Sequence, residues 1–381
     1  MDIAFVSNVV YPFVTGGAQK RIHEIGTRLA DRGHDVTIYG RHFWDGPETK
    51  TYQGLTLRAV APPADLYEGE GRRSITEAID FSVRLLPVLN KHVDRHDVIV
   101  ASVFPYFPVL SAKLCGLSDT PLITTWHEVW RDYWEEYLGS LSLGGKAVER
   151  LTASIPQHPI AVSGITAERL STLGRNRESI TVVPNGIDVA QIRNTPIPEP
   201  AAQKSFDVLF AGRLIADKNV SMLLDAFDSV AGEYDATLGV IGDGPEFDRL
   251  QHQTENLRHG DRVRFLGFVD EYEDVLGHMR AANVFASPST REGFGITYLE
   301  AMAAGCVAIG VQHPESAASE VIGDAGYLAE PTVESLAERL ERALAGQRPA
   351  NDPVERAERF DWDEVATQAE SAYERAVDGS W

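Results

Sequence analysis

The chain has 381 residues, which predicts two domains at typical domain sizes. Its formal net charge of -21, from 56 acidic and 35 basic residues, excludes a general nucleic-acid-binding protein, because such binding needs Lys and Arg to neutralise phosphates. No apolar run reaches the roughly 18 residues that would span a bilayer.

The basic residues include only seven lysines, and this strongly acidic, lysine-poor composition is typical of a halophilic protein. We hypothesise that folding needs molar salt, which screens the self-repulsion of the charge, so the thermal midpoint should rise with potassium chloride. The start of the sequence reads as a strand and not as a secretory signal, so we expect a cytoplasmic protein. Cys115 and Cys306 lie in apolar surroundings, which indicates buried thiols.

Apolar, strand-like runs alternate with segments of helical period along the chain, which predicts parallel sheets with crossover helices. The first strand is predicted at 2–8, and the turn Gly16-Gly17 leads from it into a helix that Gly33 ends. Further strands of the first domain are predicted at 35–39, 97–102, 122–125, 160–163 and 180–183.

A proline-rich stretch at 194–200 predicts a linker, after which a second series of the same kind begins. Its strands are predicted at 206–211, 236–241, 263–266, 283–286 and 306–309. A terminal helix at 361–377 is expected to pack back on the first domain. We therefore predict an α/β protein with two doubly wound domains, at 1–190 and 191–360, and a C-terminal segment at 361–381.

Two cations, Arg213 and Lys218, follow the strand predicted at 206–211. Ligands bind beyond the carboxyl ends of parallel strands, and a guanidinium with an ammonium suits a diphosphate and the charge that develops as it departs. An ordinary solvated pair of cations is the alternative.

The more specific motif is Glu292-Gly-Phe-Gly-Ile-Thr-Tyr-Leu-Glu300, which follows the strand at 283–286 and opens an apolar helix. Gly293 and Gly295 let a ligand approach the backbone, and free N–H groups at a helix N-terminus bind phosphate. Glu292 would accept hydrogen bonds from the donor sugar and Glu300 from a ribose. Acidic residues favoured by the helix dipole are the alternative.

An ordered set of residues resembles the family 4 retaining glycosyltransferases of GT-B fold, which are similar in architecture to glycogen synthase. The set comprises Gly16-Gly17, His127, Asn185-Gly186 with Asp188, Arg213, Lys218, Gly242-Asp-Gly244-Pro245 and the 292–300 motif. The resemblance covers nearly the whole chain. It implies two Rossmann-like domains that face each other across a cleft, and a nucleoside-diphosphate sugar as co-substrate without a further cofactor.

The resemblance also implies a donor site. Its predicted members are Gly16, Gly17, Arg213, Lys218, Gly242, Glu292, Gly293, Phe294, Gly295, Ile296, Thr297 and Glu300. The predicted catalytic residues are Arg213, Lys218, Glu292 and His127, which would lie beside the anomeric carbon unless it is a satisfied core histidine. No metal cluster is readable, so the two cations are expected to replace a divalent ion. No carboxylate presents itself as a covalent nucleophile, which favours a front-face displacement that retains configuration.

Trp126, Trp130 and Trp134 stand at helical spacing, with acidic residues between them. Such a face could contact a saccharide or lipid-linked acceptor, or the membrane at its cytoplasmic side, although core packing explains the pattern equally well. The sequence thus predicts a metal-independent hexosyltransferase of glycan biosynthesis. A nucleotide-sugar hydrolase or epimerase and a non-catalytic partner of another transferase remain alternatives, and the nucleotide base, sugar, acceptor and oligomeric state stay open.

Overall fold

The computed structural model describes residues 1–14, 16–68, 72–115, 120–197 and 206–381. Residues 198–200 of the predicted linker lie outside this part. The chain forms two compact units: unit 1 comprises Met1–Pro184 with Trp362–Trp381, and unit 2 comprises Asn185–Asp361. Each unit has a parallel sheet with helices, so the predicted α/β class is confirmed.

The main sheet of unit 1 has the order β10-β9-β8-β7-β1-β2-β4-β3 in the described residues. Its strands are β1 (Asp2–Val6), β2 (Asp35–Arg41), β3 (Thr49–Tyr52), β4 (Leu55–Ala61), β7 (Val98–Val103), β8 (Leu122–Trp126), β9 (His158–Ala161) and β10 (Thr181–Val182). All pairs are parallel except β3 with β4. A separate antiparallel pair joins β5 (Tyr67–Glu68) and β6 (Arg72–Arg73).

Helices of unit 1 cover both faces of this sheet. They are α1 (Gly17–Asp31), α2 (Ile75–Asn90), α3 (Phe107–Cys115), α4 (Tyr133–Leu138), α5 (Ser142–Ser154), α6 (Gly164–Ser171) and the C-terminal α15 (Trp362–Val377). Alternate residues of β1 enter two different cores, with Ala4 in one and Phe5 in the other. Trp362 and Tyr373 of α15 belong to the same core as Phe5, so the end of the chain completes the first unit.

Unit 2 has the strand order β13-β12-β11-β14-β15-β16, which is the 3-2-1-4-5-6 order of a Rossmann sheet. Its strands, all parallel, are β11 (Val208–Ala211), β12 (Leu238–Ile241), β13 (Val263–Gly267), β14 (Val284–Ser287), β15 (Val307–Val311) and β16 (Tyr327–Ala329). Its helices are α7 (Val189–Asn194), α8 (Val220–Tyr234), α9 (Phe247–Glu255), α10 (Tyr272–Ala281), α11 (Ile296–Ala303), α12 (Ala318–Ile322), α13 (Val333–Leu344) and α14 (Pro353–Glu358).

The strand order reverses between β1 and β7 in unit 1 and between β11 and β14 in unit 2. At such a switch point neighbouring loops diverge to opposite faces of the sheet and leave a crevice at the carboxyl ends of the strands. The segment that begins at Gly212 follows β11, and the loop that leads to α11 follows β14. The two predicted phosphate-binding motifs therefore flank one switch point.

The hairpin of β3 and β4 was not predicted. Its turn residues, Gln53 and Gly54, have φ angles of 47° and 80°, as the commonest two-residue hairpin turns require. Leu55 and Leu57 are buried, and this alternation was a signal in the sequence. In the described residues, no helix has both the length and the hydrophobicity that a bilayer span requires.

Candidate active site

A cavity of about 500 Å³ lies in unit 2 at the carboxyl ends of β11, β12 and β13. Four residues of the predicted donor site line it, namely Arg213, Gly242, Thr297 and Glu300. Its volume lies in the range of small-molecule sites, which is about 300 to 1,000 Å³. Unit 2 by itself therefore contains a cavity of the size that a donor site requires.

Gly242 is required where the loops after β11 and β12 meet. Its φ of 132° is unfavourable for other residues, and an added Cβ would lie 1.9 Å from the carbonyl oxygen of Gly212. The amide of Gly212 donates to the carbonyl of Ile241 (3.0 Å), and the amide of Gly242 donates to that of Gly267 (2.8 Å). These contacts fix the backbone of the loop that carries Arg213.

Arg213 is exposed and makes no ion pair with any carboxylate in the described part of the chain. It lines the cavity in a protein whose formal net charge is -21. A guanidinium at this position is ready to bind phosphate oxygens bidentately.

Lys218 and Glu292 form an ion pair, with 2.5 Å between Nζ and Oε2. Both side chains are about four-fifths buried. The amide of Thr290 donates to the carbonyl of Asp217 (2.9 Å) and ties together the two loops that carry the pair. The pair thus spans the switch point, and each side chain holds the other in position.

The N-terminus of α11 lies after Gly295, whose φ is 89°. An added Cβ there would lie 2.6 Å from the ring of Tyr298, so the close packing of this turn requires glycine. No side chain caps the helix, and its first turn contains no acidic residue. The N-terminal N–H groups at Ile296 and Thr297 therefore suit an anion.

Gly293 and Phe294 precede this turn. Phe294 is buried, and its ring centroid lies 6.0 Å from that of Phe360. Its side chain is part of the packing of unit 2, so only its backbone is available to a donor.

Glu300 is buried and accepts a hydrogen bond from the hydroxyl of Tyr272, with 2.5 Å between the oxygens. Burial first, and then the charge of Glu300, raise the pKa of Tyr272 far above its usual value. The phenol therefore stays protonated and keeps one carboxylate oxygen of Glu300 in place. Sequence reasoning missed Tyr272 because it lies at the start of α10, outside the glycine-rich motifs.

Phe268 also lines the cavity and was not predicted. It follows β13, and its side chain is 72% exposed, which is unusual for a phenylalanine. An aromatic residue directly after a strand, at the edge of the sheet where ligands bind, was the available signal in the sequence.

In unit 1, Gly16 is the N-cap residue of α1 and Gly17 is its first residue. An added Cβ at Gly17 would have no atom within 4 Å, and α1 has neither a capping side chain nor an acidic residue in its first turn. This helix N-terminus is open to an anion.

His127 follows β8 at the same edge of the sheet and is partly buried. Burial first, and then the positive charge of Arg21, lower the pKa of His127 to about 3. The imidazole is therefore neutral at physiological pH, so it can donate or accept hydrogen bonds but carries no charge.

Arg21 was not predicted to belong to this site. It is 4% exposed, and its guanidinium donates to the carbonyl oxygens of Val183 (3.0 Å) and Pro184. Arg21 and His127 line a cavity of about 10 Å³, roughly the space of one water molecule, together with Ser102. The Ser102 hydroxyl has no hydrogen-bond partner in the described residues.

The predicted aromatic helix is wrong as a continuous element. Trp126 is the last residue of β8, Arg131 has a φ of 48°, and the helix covers only Tyr133–Leu138. Trp126 and Trp134 are buried, and Trp130 packs on Trp134 with 4.7 Å between ring centroids. These three tryptophans therefore do not form an outward face for a membrane.

Among the described residues, no group of three or more His, Cys, Asp or Glu side chains is placed to hold a metal ion.

Two family sequence models match successive parts of the chain. Residues 15–191 match the one described as Glycosyltransferase Family 4, and residues 192–360 match the one described as Glycosyl transferases group 1. Together they extend from residue 15 to residue 360.

Individual proteins agree with these matches. The chain is 28% identical to glycogen synthase of Mycobacterium tuberculosis, over 100% of this chain and 96% of that protein. It is 27% identical to phosphatidyl-myo-inositol mannosyltransferase of Mycolicibacterium smegmatis, over 95% and 90%. The structure of Anabaena HepE in complex with UDP superposes with a TM-score of 0.71, at 21% identity, over 97% and 99%. The chain belongs to the family 4 glycosyltransferases and has their GT-B fold of two Rossmann-like domains.

Proposed function

We propose that this glycosyltransferase transfers a hexose-type sugar from a nucleoside-diphosphate sugar to an acceptor hydroxyl, with retention of configuration and without a metal ion. The observation that carries the proposal is the convergence of Arg213, Lys218 and the N-terminus of α11 at one switch point. Arg213 and the N-terminus of α11 provide positive potential there, and Lys218, whose charge is paired with Glu292, adds a third donor for the oxygens of a diphosphate.

In the proposed binding mode, the diphosphate binds Arg213, Lys218 and the N–H groups at the start of α11. Glu300, held by Tyr272, accepts a hydrogen bond from a ribose hydroxyl, and Phe268 packs on the nucleobase. Glu292 accepts from a hydroxyl of the donor sugar.

In the proposed reaction, the bond between the anomeric carbon and the diphosphate oxygen breaks, and the departing oxygen carries away the electron pair. Arg213 and Lys218 stabilise the charge that develops on it. The acceptor oxygen bonds to the same face of the anomeric carbon, and its proton passes to a phosphate oxygen of the leaving group. The neutral His127 hydrogen-bonds a sugar hydroxyl and is not the proton donor, since its pKa is about 3.

We propose a saccharide or lipid-linked acceptor and an enzyme of the cytoplasm, peripheral to the membrane where the acceptor is a lipid. The mannosyltransferase relative, whose name specifies phosphatidyl-myo-inositol, supports the lipid-linked class.

Thermal unfolding in molar potassium chloride with uridine, guanosine and adenosine diphosphates tests the proposal. One nucleotide at about 100 times its Kd should stabilise the protein by about 2.7 kcal/mol. Arg213→Ala should abolish this shift, whereas Arg249→Ala, which removes an exposed cation of the same unit, should keep it. No shift with any nucleotide in folded protein would overturn the donor site.

The sugar form of the nucleotide that binds then distinguishes transfer from hydrolysis. We expect its consumption to need an acceptor and the product to keep the anomeric configuration of the donor. Fast consumption without an acceptor would indicate a hydrolase or epimerase instead.

A further inference from the structure

Unit 1 contains an apolar pocket of about 300 Å³ that the proposed mechanism does not use. Its walls include Phe104, Tyr106, Trp134 and Tyr137, and Gly144 leaves space on one side. The volume is about twice that of the apolar protein cavity of roughly 150 Å³ that binds benzene. At about 30 Å³ for a group the size of water, it holds roughly ten methylene groups.

Few polar side-chain groups line the pocket, and the indole N–H of Trp134 is buried without a hydrogen-bond partner in the described residues. The Ser74 hydroxyl accepts from the amide of Glu77 (3.1 Å) at the start of α2, and the Tyr106 hydroxyl donates to Glu149 (3.0 Å). A peptide occupant would bring several backbone groups that need hydrogen-bond partners, more than one indole N–H supplies. The lining therefore suits a hydrocarbon chain.

Exposed aliphatic side chains extend from this pocket. Ile75 and Leu141 line it and are 45% and 66% exposed, and Leu143, close to Leu141 in the chain, is 78% exposed. Ile79 and Val83 continue from Ile75 along one face of α2 at four-residue spacing. Such an accumulation of apolar surface on a strongly acidic protein indicates contact with an apolar ligand.

The pocket begins at the carboxyl ends of the strands of unit 1, the same edge of the sheet at which His127 lies. Phe104 follows β7 and His127 follows β8, and these two strands are parallel neighbours. Trp130 lies after His127 in the chain, and its ring centroid is 4.6 Å from that of Phe104. The apolar walls are thus continuous with the part of unit 1 to which we assign a sugar-contacting residue.

We propose that this pocket binds the aliphatic chain of an amphiphilic acceptor, whose hydroxyl-bearing head reaches the edge of the sheet at His127. The role as an acceptor rests on the proposed glycosyltransferase function, whereas binding of the chain does not.

The alkyl maltosides from hexyl to dodecyl, below their micelle concentrations and in molar potassium chloride, are the probes. We expect Trp fluorescence to report binding, since Trp134 lines the pocket. The Kd should fall by up to about fourfold for each added methylene, the ratio that corresponds to about 0.8 kcal/mol, and level off near about ten carbons. Maltose itself should not bind there.

Gly144 provides a matched pair of variants. It lines the pocket within α5, and an added Cβ meets no atom within 4 Å. Gly144→Phe should fill the space and weaken decyl maltoside binding at least tenfold, whereas Gly144→Ala should bind as the wild type does. Leu141→Glu, at an exposed position, should weaken binding without a change in the core.

The thermal shift with the nucleotide that binds, measured on the same variants, separates the two proposals. A variant that keeps the thermal shift with nucleotide but loses alkyl maltoside binding supports the proposal that the pocket binds the aliphatic chain. Equal Kd values for all chain lengths, or unchanged decyl maltoside binding in both Gly144→Phe and Leu141→Glu, would overturn it. Absence of any nucleotide shift with intact alkyl binding would instead overturn the donor site alone.

Discussion

The two units have the same sheet topology around their switch points but present different chemistry at the carboxyl ends of their strands. In unit 2 the strand ends carry an exposed arginine, a lysine–glutamate pair and glycines without which the loops would collide. In unit 1 they carry a neutral histidine and a cluster of aromatic rings beside an apolar pocket. The same scaffold thus carries the proposed anion site in one unit and an apolar pocket in the other, because the loops and not the strands determine the chemistry.

The largest expected effect concerns the close contact between the loops of Gly242 and Gly212 in unit 2. Gly242→Ala should lower the free energy of unfolding by about 3 kcal/mol or more, because the new methyl group would overlap the Gly212 carbonyl and the positive φ adds strain. Chemical denaturation measures the change. Gly346→Ala is the control, since Gly346 has a φ of 77° but no atom within 4 Å, and it should cost only about 1 to 2 kcal/mol. Equal losses of unfolding free energy in the two variants would contradict the close contact between Gly242 and the Gly212 carbonyl.

The second prediction compares two lysines that both make ion pairs. Lys218→Ala should lower kcat by about 10² to 10³, because Lys218 stabilises the departing diphosphate in the proposed mechanism. Lys146 of unit 1 pairs with Asp132 and Glu135 at 2.7 Å, yet Lys146→Ala should leave kcat unchanged. Steady-state kinetics with saturating donor checks both variants. A similar loss in the two would mean that Lys218 has only a structural role.

The third prediction concerns the tyrosine that supports Glu300. Tyr272→Phe removes one hydrogen bond and should raise the KM of the donor up to about tenfold, with little change in kcat. Tyr327→Phe is the matched control, because the buried hydroxyl of Tyr327 has no partner in the described residues. An unchanged KM in Tyr272→Phe would remove Tyr272 from the donor site.

The smallest effect near neutral pH is a dependence of stability on pH that arises from His127 in unit 1. Since the pKa of His127 is about 3 in the folded state and about 6.5 in an unfolded chain, the unfolded chain binds a proton in the window between these values and the folded one does not. Wild-type stability should therefore fall as pH drops from about 6.5 towards 3, more steeply than that of His127→Gln. An NMR titration of His127 checks the assignment, and a midpoint near 6.5 would contradict it.

The residues of the proposed anion site could be identified from sequence because they form local patterns. Gly293 and Gly295 stand beside Glu292 in one motif, and Arg213 and Lys218 directly follow a readable strand. Residues of such short segments keep their proximity in any fold that forms the strand and the helix. The alternation of strand-like and helical segments that predicts β11 and α8 therefore also gives the positions of Arg213 and Lys218 between them.

The apolar pocket and the supporting residues could not be predicted in this way. Trp126 and Trp134 have the spacing of one helix, but the chain turns at Arg131, and their rings point into the core. Arg21, Tyr272 and Phe268 are far in sequence from the groups they accompany. No local pattern specifies such partners, because they meet only when separate loops reach the same edge of a sheet.

The amino-acid sequence by itself determined the α/β class, the order of most strands, the family and the glycine-rich phosphate motifs, because periodicity and short motifs are properties of neighbouring residues. The tertiary structure decided that Lys218 pairs with Glu292, that His127 is neutral and that the aromatic residues enclose a pocket. Each of these depends on burial and on distances between segments remote in the chain, which only the packed fold sets.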